Sequence, residues 1–201
     1  HSTYASSTNY PYITNNGDAS NPGSLYFYAS SSSYTMAVTP ELDAELNTLE
    51  VTFYFHSSNT SNGMIVGVMT DPDDASTFVP VDTVYSTSVD VFDFFEIDLD
   101  SYTGDGKYVA FKTRNVNTNS MYLDNVNIIT IPTCKRPNEM AVANIDMNEA
   151  QISWNERGGA TSWIIEYGEA GFTPGEGTML LVTTNPYTLS NLTSATEYDV
   201  Y

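Results

Sequence analysis

Apolar and polar residues alternate along this chain in short runs, each closed off by turn-forming residues, and that two-residue period predicts strands rather than helices. From Leu49 to Phe55 the pattern is plainest: Leu49, Val51, Phe53 and Phe55 fall on one side, and Glu50, Thr52 and Tyr54 on the other. Further strands are predicted at Leu25 to Tyr28, Tyr34 to Val38, Phe78 to Tyr85, Phe94 to Leu99, Tyr108 to Thr113 and Met121 to Ile131. In the strand predicted at Met64 to Thr70, the run Met64 to Met69 does not alternate. Its continuous apolar character predicts a strand in the middle of a sheet, covered on both faces. Residues 1–24 are polar, with Asn15-Asn16-Gly17-Asp18 and Asn21-Pro22-Gly23 as breakers, and are read as loop with one short strand about Tyr10 to Thr14.

The pattern is interrupted at Ile131-Pro132-Thr133-Cys134-Lys135-Arg136-Pro137, where two prolines bracket a basic pair, and then resumes. The second series of strands is expected at Met140 to Ile145, Ala150 to Trp154, Ser162 to Tyr167, Thr178 to Val182, Tyr187 to Leu189, and from Tyr198 to the end. The expected organisation is a domain over 1–131, a linker over 132–137 and a domain over 138–201, both all-β. A chain of 201 residues, 41% hydrophobic, can fill two such cores.

The net charge of −19, from 25 acidic against 6 basic residues, excludes nucleic acid and anionic membranes as partners and favours cations. The carboxylates are expected to form an outer coat. No apolar run is long enough to span a bilayer, so no membrane insertion is expected. A single cysteine, Cys134, rules out an internal disulfide framework.

The second series resembles a fibronectin type III domain. Ala150-Gln151-Ile152-Ser153-Trp154 is similar to that family's second strand with its core tryptophan, and Trp163-Ile164-Ile165-Glu166-Tyr167-Gly168 to the third. Tyr187-Thr188-Leu189-Ser190-Asn191-Leu192-Thr193 with Thr196-Glu197-Tyr198 resembles the corner leading into the sixth strand, which implies a hydrogen bond from nearby backbone to the Tyr198 hydroxyl. On this likeness the sequence stops within the sixth strand, the immunoglobulin-like sandwich lacks its last strand, and Cys134 has lost the partner that relatives carry after that strand. The unpaired edge would be open to strand pairing by another chain. The first series resembles the jelly-roll modules of the cleaved-adhesin, MAM-like and choice-of-anchor group of Bacteroidetes-type bacteria. The likeness rests on Val38-Thr39-Pro40-Glu41-Leu42, Val66 to Pro72, Ser76 to Val81, Gly106 to Phe111 and Tyr122-Leu123-Asp124-Asn125-Val126. It implies a jelly-roll β-sandwich that lacks an opening strand, so the chain is read as a fragment. It also implies a structural calcium held by Asp124, at the start of the last strand, with Asp18 from the first loops.

Other chemistry finds less support. Asp71-Pro72-Asp73-Asp74 lacks the spacing of a calcium loop and is read as a solvated turn, with Asp73 or Asp74 capping Ala75-Ser76. Asp90, Asp93, Glu96, Asp98 and Asp100 could supply the carboxylate pair of a glycosidase, but in so acidic a chain the spacing arises by chance. The two histidines, His1 and His56, are far apart, which argues against zinc or triad chemistry. Tyr4, Tyr10, Tyr12, Tyr26, Tyr28 and Tyr34 could stack on sugar rings or simply pair across strands. The expected function is non-catalytic: an extracellular, secreted or cell-surface module that adheres to a glycan or a surface protein. The alternatives are a spacer or accessory part of a secreted peptidase or glycanase, and a subunit of a surface fibre.

Overall fold

The computed structural model describes residues 3–5, 10–15, 23–30, 33–89, 91–114 and 119–201. The chain forms two units, His1–Ile131 and Pro132–Tyr201. Both are all-β, and no α-helix occurs among the described residues.

The first unit contains β1 (Thr3–Ala5), β2 (Tyr12–Thr14), β3 (Ser24–Ala29), β4 (Thr35–Val38), β5 (Leu49–Ser57), β6 (Met64–Met69), β7 (Val79–Val84), β8 (Asp93–Asp98), β9 (Tyr108–Thr113) and β10 (Asn119–Thr130). Strand β6 pairs with β7, β5 with β8, β4 with β9 and β3 with β10, all antiparallel. This nesting is that of one long hairpin rolled into two sheets, a jelly roll. The sheets run β1-β4-β9-β6-β7 and β2-β3-β10-β5-β8.

Between the sheets Phe27, Val51, Phe53 and Phe55 meet Met64, Val66, Val68, Val109 and Phe111. The alternation of β5 therefore points where the sequence predicts. Phe53 stacks on Phe95 of the same sheet at 5.7 Å and meets Phe111 of the opposite sheet edge-on at 5.3 Å. Strand β6 lies between β9 and β7 and is covered on both faces, as its unbroken apolar run predicts. Its outer cover is local: Met36, Val38, Met69 and Ala110 form a second cluster with Tyr34, Ala75, Phe78 and Tyr108. The loop after β6 is held in place by Asp74, which accepts from the Ser76 amide at 2.9 Å and from its hydroxyl at 2.7 Å. Those two bonds hold the Asp74 carboxyl below the usual aspartate range.

Two expectations are corrected. Strand β1 falls where the sequence reads as loop; it pairs with the edge of β4, so its order comes from a neighbour's free backbone and not from its own pattern. Nor do all carboxylates lie in an outer coat, because Glu50 is only 3% exposed and Asp124 8%.

The second unit contains β11 (Asn138–Ala143), β12 (Glu149–Asn155), β13 (Trp163–Glu169), β14 (Thr178–Val182), β15 (Tyr187–Ser190) and β16 (Tyr198–Val200). Its sheets run β11-β12-β15 and β14-β13-β16, an immunoglobulin-like sandwich of the fibronectin type III kind. Ile152, Ile165, Val182 and Leu189 are its buried centre, with Trp154 and Trp163 packed against them and edge-to-face at 5.1 Å. The Tyr198 hydroxyl accepts from the Thr193 amide at 3.0 Å, the corner bond that the resemblance implies. Cys134 is an exposed free thiol.

The turn between β12 and β13 is organised by Glu156. One carboxylate oxygen accepts from the Gly158 and Ala160 amides at 2.7 and 3.0 Å, and the other from the Trp163 indole at 2.7 Å. The indole bond, followed by the amide bonds, holds this carboxyl below the ordinary value of 4.5. Because the folded-state value is depressed, the stabilisation is present above the unfolded value and is lost as pH falls through the folded one. Replacing Glu156 by Gln should therefore lower the stability of this unit near neutral pH, and the gap between variant and parent should shrink progressively below pH 4.5. Urea unfolding followed by tryptophan fluorescence at several pH values measures this, and a gap that stays constant with pH would refute it.

Candidate functional site

The outer face of the β2-β3-β10-β5-β8 sheet carries a row of aromatic rings. Because β5 sends Phe53 and Phe55 inward, Tyr54 and His56 point outward; likewise β10 buries Met121 and Leu123 and presents Tyr122 and Asp124 on the other side. The strand register then sets Tyr12 beside Tyr26, Tyr26 beside Tyr122, and Tyr122 beside His56. Successive ring centroids are 4.9, 5.3 and 5.5 Å apart, and Phe92, just before β8, lies 5.4 Å beyond His56. The row crosses the whole sheet, a span of about 19 Å at the usual strand spacing. Tyr54 and Phe94, 5.1 Å apart, begin a second row beside it.

The rings are not coplanar. Interplanar angles along the row are 46°, 62°, 18° and 45°, so the surface presents both ring faces and ring edges. Tyr12 is 58% exposed and Phe94 42%, while Tyr26, Tyr122, His56 and Phe92 are half-buried. Cross-strand pairing accounts for the contacts within the row, and the exposed ring surface remains available to a ligand.

Polar groups border the rings. The Tyr26 hydroxyl and the Ser120 hydroxyl are 3.1 Å apart. Burial pushes the Tyr122 phenol up, and the neighbouring Tyr26 and Tyr12 phenols add to this; like any protonated phenol it can donate as well as accept. His56 Nε2 is bonded to the Val89 carbonyl, which requires the proton on that nitrogen. His56 Nδ1 is buried and has no hydrogen-bond partner among the described residues. One row along from Tyr122, Asp124 accepts from the Asn125 amide at 2.7 Å, where β10 bulges between Asp124 and Asn127.

The residues singled out in the sequence fare differently. Tyr12 and Tyr26 belong to the row, Tyr28 lies farther along the same face of β3, and Tyr10 is exposed just before β2. Tyr34 faces away on the other sheet, where its ring lies 4.4 Å from the Lys112 amine. Tyr4 is in β1, and its side chain lies outside the described residues. Asp124 stands in the middle of β10 and not at its start. Asp18 lies outside the described residues, as do His1 and Asp90. No group of three metal-ligating side chains comes together among the described residues. Asp93 is engaged by the Thr87 amide and hydroxyl, both at 2.7 Å, Glu96 and Asp98 follow along β8, and Asp100 lies in the turn after it. The sequence reading missed Tyr122, His56 and Phe92 as partners of Tyr12 and Tyr26. The available signal was the outward parity of Tyr54 and His56 on a strand whose inward residues were already assigned.

No protein-family model matches the chain, and no curated protein does. Among solved structures it is similar to the glycoside hydrolase domain of Endo-D from Streptococcus pneumoniae R6, with 12% identity and a TM-score of 0.46, over 99% of this chain and 36% of that one. It is also similar to the family 11 carbohydrate-binding module of a cellulosomal cellulase from Clostridium thermocellum, with 13% identity and a TM-score of 0.44, over 64% of this chain and 86% of that one. The FN1-FN3 domains of chicken CNTN1 match at 18% identity and a TM-score of 0.30, over 71% of this chain and 50% of theirs. The chain thus spans about a third of the length of the Endo-D domain. No helix of the described residues is long and apolar enough to cross a membrane.

Proposed function

We propose that the first unit is a non-catalytic glycan-binding module, acting in adhesion outside the cell, whose ligand lies along the row from Tyr12 to Phe92. The observation that supports this is the row itself: five rings contributed by successive strands and their flanks, partly exposed, on the outer face of a sandwich that already has a complete core. Pyranose rings carry apolar C–H faces that pack on aromatic rings, and their hydroxyls need donors and acceptors at the margin. The hydroxyls of Tyr122, Tyr26 and Ser120, each able to donate and to accept, supply both kinds of group. A chain of linked sugars laid across the strands would meet one ring per strand.

Tyr122, at the centre of the row, is the residue on which binding should depend most, since energetic hot spots sit in the middle of an interface. Its replacement by Ala is expected to weaken binding to a recognised polysaccharide about ten-fold or more, measured by affinity electrophoresis, with circular dichroism confirming that the sheet persists. Undiminished binding in a folded Tyr122→Ala protein would overturn the assignment of this face.

A further inference from the structure

We infer that the glycan taken by this face is uncharged, and that chains bearing uronate or sulfate groups are rejected. This rests on the assignment of the aromatic row as the binding surface. Recognition of a carboxylate or sulfate calls for a cation or a fork of charge-assisted donors, above all from arginine. No Lys or Arg is on the strands that build this face. Lys107, Lys112 and Arg114 belong to β9 and its flanks, in the opposite sheet, and Lys135, Arg136 and Arg157 belong to the second unit. His56 is the one basic side chain among the described residues of the face.

The row borders negative charge instead. Asp124 points outward one side-chain row from Tyr122, about 7 Å along the strand, and Glu96 and Asp98 continue the same face of β8 at two and three rows. At physiological ionic strength the screening length is about 8 Å, so Asp124 acts on whatever lies over the rings, while Glu96 and Asp98 contribute chiefly at low salt. An anionic polymer meets repulsion without compensation, and a neutral one meets hydroxyl groups suited to its own. The Tyr122 phenol, like any tyrosine near neutral pH, is uncharged and adds no competing charge.

The test is retention of the full chain in native gels cast with neutral polysaccharides (a mixed-linkage β-glucan, a galactan, a mannan and a xylan) or anionic ones (alginate, polygalacturonate, heparin). Chelator is included so that divalent ions cannot bridge like charges, and the salt is set near physiological strength or lowered about ten-fold. The expected result is retention by at least one neutral polymer and by none of the anionic ones at either salt. The neutral retention should drop about ten-fold or more in Tyr122→Ala and also in Tyr12→Ala, whose exposed ring can be removed with little risk to the fold. Retention by an anionic polymer that is lost in these variants would overturn the charge inference and leave the binding face standing. Retention by any polymer that both variants preserve, or no retention by any of them, would overturn the binding face itself.

Discussion

Replacing Phe53 by Ala is expected to destabilise the first unit by about 3–5 kcal/mol, the range for truncating a large aromatic side chain in a core. Phe53 has no exposed surface and is held between Phe95 and Phe111, one from its own sheet and one from the facing sheet. Truncation forfeits the transfer of the ring out of water and leaves a void between two stiff layers that cannot collapse onto it. Urea unfolding monitored by far-ultraviolet circular dichroism measures the loss. Both tryptophans, Trp154 and Trp163, lie in the second unit, so indole fluorescence in the same titration reports that unit separately. A loss under about 1 kcal/mol would mean that Phe53 is not where the two sheets meet.

A smaller change carries the second large effect. Gly67 sits in β6 with Val66 and Val68 directed inward, and a Cβ on its outer side would come within 2.5 Å of the Val79 carbonyl oxygen and 2.6 Å of the Phe78 ring. The carbonyl belongs to the neighbouring strand, where the register shifts between Val66 and Gly67, so it cannot swing aside as a flexible side chain would. Gly67→Ala should therefore cost about 1–3 kcal/mol, the usual penalty for overpacking. The same unfolding assay detects it. A neutral or stabilising result would show that the strand pair relaxes freely at the bulge.

Much of this fold was legible in the sequence because inward residues are apolar and the period of two is seldom disguised. The whole of β4, β6, β7, β9, β14 and β16, and most of β5 and β10, fall within the predicted runs. The Tyr198 corner could be read as well, since a short local motif encodes it. Strand β1 was not legible because pairing to β4, not its own composition, places it. The burial of Glu50 escaped notice because an acid at an outward position of β5 looks like any solvated one until the tertiary surroundings are known. The aromatic row is the instructive case. Tyr12 and Tyr26 were visible as candidates through their proximity in sequence, but Tyr122 and His56 join them only through the antiparallel register of β3, β10 and β5, and Phe92 through the segment that leads into β8. Composition reveals aromatic residues; pairing decides which of them become neighbours.

The bulge in β10 has a consequence for how this strand serves two masters. Between Asp124 and Asn127 it advances three residues while β5 advances two, from Tyr54 to Thr52. The surplus residue reverses the in-and-out phase of everything downstream, so that Ile128 packs inward although it is an even number of positions from the outward-facing Tyr122. Without that hiccup in the count, one end of the strand would have to turn its side chains the wrong way. Shortening the segment Asn125-Val126 by a single residue sets the ring-bearing end against the core-forming end, and the recognition surface becomes a readout of strand phase over the entire sheet.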